Sequence, residues 1–349
     1  MRIRRSLPII FAVLLIVAAS ALVVVLRKHA PPEPARLLPG ADGFIYVNLQ
    51  WIRRANIMGE LPPVPHDAEY GQFIEATDFQ FERDLNEAAI AIHYPATPPG
   101  TTPDRTQTRF SEVFVGKIHG ERLAAYLQKI SSSVESYHSL DIYNIPIEER
   151  TLRVAILGVD TVAASNHPDP QVIRGIVDRS RKLASPFGGP ALLRQYYKHV
   201  PLASLAWGIL RVEPQSGPHV SSLAFLFDKP AVVLTSVRYL AAVHFRAVAF
   251  TASEADAKHV TEQLTAFFNL FHAAESTVGT PGPDPDVKAF FSSLKLDQQK
   301  DRAILTATVP LGFIRKMLSE APAAVAPQPT SQQNPAPAPP ESKGKSRKK

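Results

Sequence analysis

Apolar residues run without a single charge from Leu7 to Leu26. From about residue 37 to residue 320 they alternate with polar residues at spacings that suit strands and helices, and beyond Ala321 they give way to Pro, Ala and Gln. The first run predicts a membrane-spanning helix, because residues 7–26 at ~1.5 Å each cover roughly 30 Å, the hydrocarbon thickness of a bilayer. Pro8 falls in the first turn, where its missing N–H breaks no internal bond. A cleaved signal peptide is the rival reading, since Ala19-Ser20-Ala21 fits the small-x-small cleavage pattern. Cleavage there would leave the apolar stretch Leu22–Leu26 as a new N-terminus, which favours an uncleaved anchor. Arg2, Arg4 and Arg5 before the run, against Arg27 and Lys28 after it, place the N-terminus in the cytoplasm. Residues from about 30 onward are then expected outside, in the periplasm of a bacterium whose inner membrane holds the anchor.

The middle of the chain reads as strands and helices in alternation. Phe44–Asn48 predicts a first strand and Leu49–Met58 a helix; the next thirty or so residues show no clear period. Ala88–Tyr94 and Phe110–Ile118 predict a long-looped hairpin across Pro95–Gln107. Gly120–Ser131 has helical spacing, with Leu123, Tyr126, Leu127 and Ile130 on one face. Leu140–Ile147 is a strand, and Leu152–Leu157 with Thr161–Ser165 a tight hairpin around Gly-Val-Asp. Asp169 as N-cap and Pro170 at the first helical position start a helix to about Leu183, with Ile173, Ile176 and Val177 inward. Pro190 opens a short helix to about His199, and Leu202–Val212 is strand-like. Ser221–Asp228 and Ala231–Leu240 are apolar without a decisive period. His244–Ala252 is a strand, after which Ser253 caps a long helix over Glu254–Ala274, its apolar face formed by Val260, Leu264, Phe267, Phe268 and Phe271. A helix from Asp284-Pro285 to Leu294, a strand Asp301–Pro310 and a helix Leu311–Glu320 complete the series.

Hairpins mixed with helices argue for an α+β fold of mostly antiparallel sheets with packed helices. The expected organisation is a cytoplasmic stub and anchor (residues 1–29), a Pro-rich spacer (30–36), a first α+β module (37–185), a second (186–320) and a disordered Pro/Ala-rich tail with a basic end (321–349). Phe110–Ile130 and His244–Phe271 share a strand, junction, amphipathic-helix layout, which suggests that the two modules are related by duplication.

Composition narrows the function classes. The chain has 349 residues and no Cys, which excludes disulfides, Cys-ligated zinc, a thiol nucleophile and a lipid anchor on Cys. The net charge of +6 invites a nucleic-acid reading. The excess lies in the two ends: residues 29–340 hold 28 Lys and Arg against 31 Asp and Glu, so the folded part has no cationic excess for DNA or RNA.

Candidate chemistry is sparse, and no cofactor or metal is expected. His259 with Glu262, and His272 with Glu275, have the i,i+3 spacing of some metal ligands, but no further ligands accompany them, and an exposed helix face explains them. Ser165-Asn166-His167-Pro168-Asp169-Pro170 offers a Ser and a His without a nucleophile-elbow pattern; capping explains it. Phe187-Gly-Gly-Pro190 reads as a turn rather than an anion cradle. Asp284-Pro285-Asp286 reads as a cap rather than a calcium loop. Tyr196, Tyr197 and Trp207 cluster near the module junction and are expected in the core or, if any surface contacts a partner, there. Lys343, Lys345, Arg347, Lys348 and Lys349 form a basic end, either solubilising or able to grip an anionic envelope surface at ~1 kcal/mol per charge.

The stretches Leu38-Pro-Gly-Ala-Asp-Gly-Phe-Ile-Tyr-Val47 and Thr151–Arg174, behind an N-terminal anchor, resemble a group of bacterial signal-anchored, single-pass envelope proteins. That group has no assigned activity, so the resemblance carries over no functional residues. The expected function is a non-enzymatic binding or scaffolding ectodomain in the cell envelope. An envelope hydrolase and an accessory subunit of a transport or secretion assembly are the alternatives. A deep pocket of clustered polar side chains would favour the enzyme, and a broad apolar surface the binding protein.

Overall fold

The computed structural model describes residues 30–57, 66–95, 108–181, 189–213, 226–277 and 285–319. The expected anchor at Leu7–Leu26, the loop 96–107, the turn at Phe187 and the basic tail fall outside these residues. Among the described residues no helix is long and apolar enough to cross a membrane.

Among the described residues twelve strands form one sheet in the order β11-β12-β10-β9-β8-β1-β2-β3-β7-β6-β5-β4. They are β1 (Gly43–Asn48), β2 (Leu85–His93), β3 (Arg109–Gly116), β4 (Ser133–Tyr137), β5 (Leu140–Ile147), β6 (Arg150–Ile156), β7 (Thr161–Ser165), β8 (Ser204–Val212), β9 (Ala231–Leu240), β10 (Ala242–Phe250), β11 (Lys295–Gln299) and β12 (Arg302–Val309). Every neighbouring pair is antiparallel. The α+β class with a large antiparallel sheet and packed helices is therefore as the hydrophobic pattern indicates. Strands of residues 37–185 lie to one side and strands of residues 186–320 to the other. They meet where β1 pairs with β8, Phe44 opposite Ile209 and Tyr46 opposite Trp207.

The helices are α1 (Glu33–Leu37), α2 (Leu49–Arg54), α3 (Ala68–Thr77), α4 (Phe81–Asp84), α5 (Gly120–Ile130), α6 (Gln171–Arg181), α7 (Ala191–Tyr196), α8 (Glu254–Thr277), α9 (Pro285–Ser293) and α10 (Leu311–Ser319). A 3-10 turn, Tyr197–His199, follows α7. The second segment of unclear period, Ala231–Leu240, is strand β9. Two short polar edge strands, β4 and β11, appear where no strand is expected. Helix α2 ends at Arg54 rather than Met58, because Asn56 turns into the left-handed region at φ 50°. Helix α3 fills part of the stretch without a period. Its N-cap Asp67 accepts a hydrogen bond from the Tyr70 N–H at 2.7 Å, and Asp78 ends it at φ 55°. The expected caps of α6 and α8 form: Asp169 Oδ1 accepts from the Gln171 N–H, and Ser253 Oγ from the Asp256 N–H.

Side chains leave the strands on alternate faces, so the sheet has two distinct sides. On the back, α1, α6 and α7 cover a core that crosses the β1–β8 junction. It includes Leu37, Phe44, Val113, Ile142, Ile173, Ile176, Val177, Leu193, Ile209 and Leu234. On the front, α2 and α10 cover Val237, Tyr239 and Val243. There α8 packs Val260 and Leu264 onto Val212, Ala231, Ala249 and Ala303. The stripe expected along α8 frays at Phe267, which is 48% exposed.

Candidate functional site

An apolar recess lies on the front of the first half, between the sheet and the helices α3, α4 and α5. Its floor follows from strand alternation. Glu112 and Phe114 of β3 point forward, while Ser111 and Val113 point back. Val162 and Ala164 of β7, Leu152 and Val154 of β6 and Ile145 of β5 continue the floor. The roof of α5 is the stripe expected from the sequence: Leu123, Tyr126, Leu127 and Ile130 all line the cavity. Phe73 and Thr77 of α3, Phe79, and Phe81 of α4 close the side. The cavity encloses about 340 Å³, within the range of small-molecule sites.

Aromatic contacts hold this cover together. Phe73 stacks on Phe81 at 5.9 Å between centroids and meets Tyr126 edge-on at 5.4 Å. Phe81 meets Phe79 edge-on at 5.2 Å and Phe114 at 6.3 Å. Such pairs prefer offset or edge-on geometry and add ~0.5–1.5 kcal/mol each beyond burial. A polar seam on the outer side joins α3 to α4. The Tyr70 hydroxyl donates to Glu82 Oε2 at 2.7 Å and accepts from the Phe81 N–H at 2.9 Å. His66 Nε2 lies 2.7 Å from Glu82 Oε1. Below, Gly116 must be a glycine: a Cβ there would sit 2.6 Å from the Asp84 carbonyl oxygen.

One carboxyl faces this apolar space. Glu112 is half-buried, and burial raises its pKa with no hydrogen bond or charge to offset it. The other polar side chains around it are occupied. The Thr77 hydroxyl donates to the Phe73 carbonyl at 2.7 Å, and His119 Nε2 lies 3.6 Å from Asp78 Oδ2.

On the back, a second polar group runs through the core of the same half. His93 Nε2 is 3.0 Å from Ser111 Oγ, which is 2.9 Å from Ser165 Oγ. Ser165 Oγ also accepts the His167 N–H at 3.2 Å. A Ser–His arrangement thus exists around the segment singled out in the sequence, but its groups are sealed: His93 is 9% exposed and both serines less. Burial, then the nearby His167, pushes the His93 pKa down to about 4. Near α1, Tyr46 donates to Glu87 Oε2 at 2.8 Å within a polar recess that Glu33 and Asp160 also line.

The remaining sequence candidates disperse. His259 Nε2 lies 3.1 Å from Asp228 Oδ2 and Glu262 pairs with Lys258, so the two do not converge on a metal. Among the described residues no group of His, Asp and Glu could hold one. The side chains of His272 and Glu275 fall outside the described set, as does Asp284. Trp207 is 3% exposed, stacked on Tyr46 at 5.6 Å and met edge-on by Tyr197 at 5.3 Å. Burial raises the Tyr197 pKa to about 12. Tyr196 packs on Phe250 at 5.0 Å. Of this trio, only the two tyrosines retain some exposure.

Cations gather on the back of β9, β10 and β12. Arg238 lies on β9, Arg246 on β10 and Arg302 on β12, with Lys198 and His199 beside them. Burial, then Arg238 and Arg302, lowers the Arg246 pKa; burial, then Arg302, Lys198 and Arg246, lowers that of His199. Periodicity alone did not reveal this group, because its members are far apart in sequence. Glu112 left a readable signal: it sits in phase with Phe110 and Phe114 in the alternation of β3.

The fold and cavity define an α+β protein with an apolar recess on a continuous antiparallel sheet. No family model matches the chain, and no curated protein does. Three solved structures, crystal forms III, IV and I of TP0453, are similar at 10% identity and a TM-score of 0.41. Each alignment covers 83% of this chain and 96–98% of the other.

Proposed function

We propose that the protein is a non-enzymatic binding protein of the cell envelope that takes an apolar ligand beneath α3 and α5. The observation that carries this reading is the cavity itself, lined by Phe73, Phe79, Phe81, Phe114 and Leu127 rather than by converging polar groups. The hydrolase alternative would need a nucleophile and base open to substrate. The contacts of His93 with Ser111 and of Ser111 with Ser165 lie in the core on the opposite side of the sheet. In the same reading, Leu7–Leu26 anchors the chain in a bacterial inner membrane and the folded part is exported. The two halves of the sheet are related modules, and the basic end from Lys343 to Lys349 rests on an anionic surface. The matching sequence β3, turn, α5 against β10, turn, α8 supports the duplication.

The test uses the full chain in membranes and a neutral photoactivatable dodecanol. Cross-linking followed by peptide mapping is expected to mark residues 68–81 and 110–130 beyond any labelling of the anchor. Labelling confined to residues 7–26 would overturn the cavity assignment. Orientation is checked separately: a reporter fused after Lys349 that works only in the cytoplasm contradicts export.

A further inference from the structure

We propose that the ligand of this cavity carries a protonated amine at one end of an aliphatic chain, with the Glu112 carboxylate as its counter-charge. The inference rests on the apolar-ligand reading above and adds the chemistry of the head group.

Among the described residues Glu112 is the only carboxyl that lines the cavity, and it forms no hydrogen bond or ion pair. Its neighbours offer none. Opposite it on β2 stands Ile90 and on β7 Ala164, and two residues along its own strand face stands Phe114. A carboxylate in such surroundings loses hydration without recovering it from the protein. Burial accordingly shifts Glu112 toward its neutral form.

The sign of the missing partner follows. A chain ended by a carboxylate would set two like charges together in a poorly hydrated space. A chain ended by nothing polar would cover Glu112 and leave it unpaired, at a desolvation cost. A chain ended by an ammonium supplies both a positive charge and N–H donors, and its binding recovers what burial withholds. The rings add to the same preference. Phe114 follows Glu112 on the same strand face with Phe81 edge-on to it, and aromatic rings attract ammonium through their quadrupoles. The recess of about 340 Å³ lies at the small end of small-molecule sites, which suits a single aliphatic chain.

The His119 imidazole does not supply this charge from within. It lies toward Asp78, with Arg122 Nη1 4.0 Å from the same carboxylate. The ion-pair cluster around Asp78 thus stays at the rim and leaves Glu112 alone inside.

The experiment compares three photoactivatable dodecyl probes, ended by a primary amine, an alcohol and a carboxylate, on the full chain in membranes at pH 7. Cross-linking yield is read on peptides from residues 68–81 and 110–130. The amine is expected to label these peptides at least tenfold more than the alcohol, and the carboxylate least. In Glu112→Gln the amine should fall to the level of the alcohol, while alcohol labelling holds or rises. Glu112→Gln should also melt no lower than the parent, which separates lost recognition from lost folding. Equal labelling by amine and alcohol, or an amine preference that survives Glu112→Gln, overturns the proposal and leaves the apolar site standing. Failure of all three probes to reach these peptides overturns the apolar site itself.

Discussion

The two halves of the sheet present the same succession on the front, a strand, a short turn and a helix, yet one leaves a cavity and the other is filled. In the second half, β10 shows Ala249 to α8, and Ala231 and Ala303 flank it. These small side chains let Val260 and Leu264 of α8 settle onto the strands. In the first half, Glu112 and Phe114 of β3 line the recess. There Leu123 and Leu127 of α5 settle over Val154, Val162 and Ala164 of the neighbouring strands, Phe114 meets Phe81, and α3 and α4 close the remaining space from the side with Phe73, Phe79 and Phe81. One succession of elements thus gives a packed layer in one half and a recess beside the packed helix in the other. The back differs as well. The first half carries the buried His93–Ser111–Ser165 chain, whereas the second carries Leu234, Val248 and Ile304 in adjacent positions.

The largest expected effect uses this back-face difference. His93 has a pKa near 6.5 when unfolded and about 4 when folded, so the unfolded chain binds the proton first. Its stability contribution is present above about pH 6.5 and declines as pH falls toward 4. The loss is on the order of 3 kcal/mol. Urea denaturation from pH 7 to pH 4 should show this slope, and His93→Gln should remove most of it. A slope unchanged in that variant would show that the acid sensitivity lies elsewhere.

Next come paired alanine enlargements, which read packing directly. Ala249→Leu, in the filled half, should cost ~1–3 kcal/mol, as overpacked cores do. Ala164→Leu, on the cavity floor, should be neutral or stabilising, because the added methyls enter open volume. Equal losses in the two variants would erase the contrast between the halves. Glu112→Gln should give a smaller gain, up to about 1 kcal/mol, by removing an uncompensated charge. Smallest, Arg246→Gln should gain a few tenths of a kcal/mol by easing repulsion with Arg238 and Arg302, an effect that added salt should shrink. Thermal melts of the two variants with and without salt separate these contributions.

Much of this contrast was legible in the chain, and the illegible part has physical causes. The stripe Leu123, Tyr126, Leu127 and Ile130 identified the face of α5 that roofs the cavity, because a helix against a sheet needs that period. Asp169 and Ser253 marked helix starts through local hydrogen bonds. The other wall was hidden. Helix α3 buries only Thr77 fully and depends on ring contacts from Phe79, Phe81 and Tyr126, which are tertiary and leave no period. Strand β9 is apolar on both sides because helices or core cover most of its length, so alternation is lost. The edge strands β4 and β11 are polar because, among the described residues, each pairs with a single strand. Trp207 read first as a core aromatic, with a partner-contact surface as the alternative; it pairs with Tyr46 across β1 and β8.

The central claim is that the recess of the first half, and not the front of the second, receives an apolar ligand. The most direct measurement maps cross-links of the neutral dodecyl probe on the full chain and on Ala164→Phe, whose ring fills the cavity floor. The account predicts labels on residues 68–81 and 110–130 in the parent and their loss in the variant, with residues 254–269 unmarked in both. Labels on residues 254–269, or labels on the first half that Ala164→Phe leaves unchanged, would contradict it.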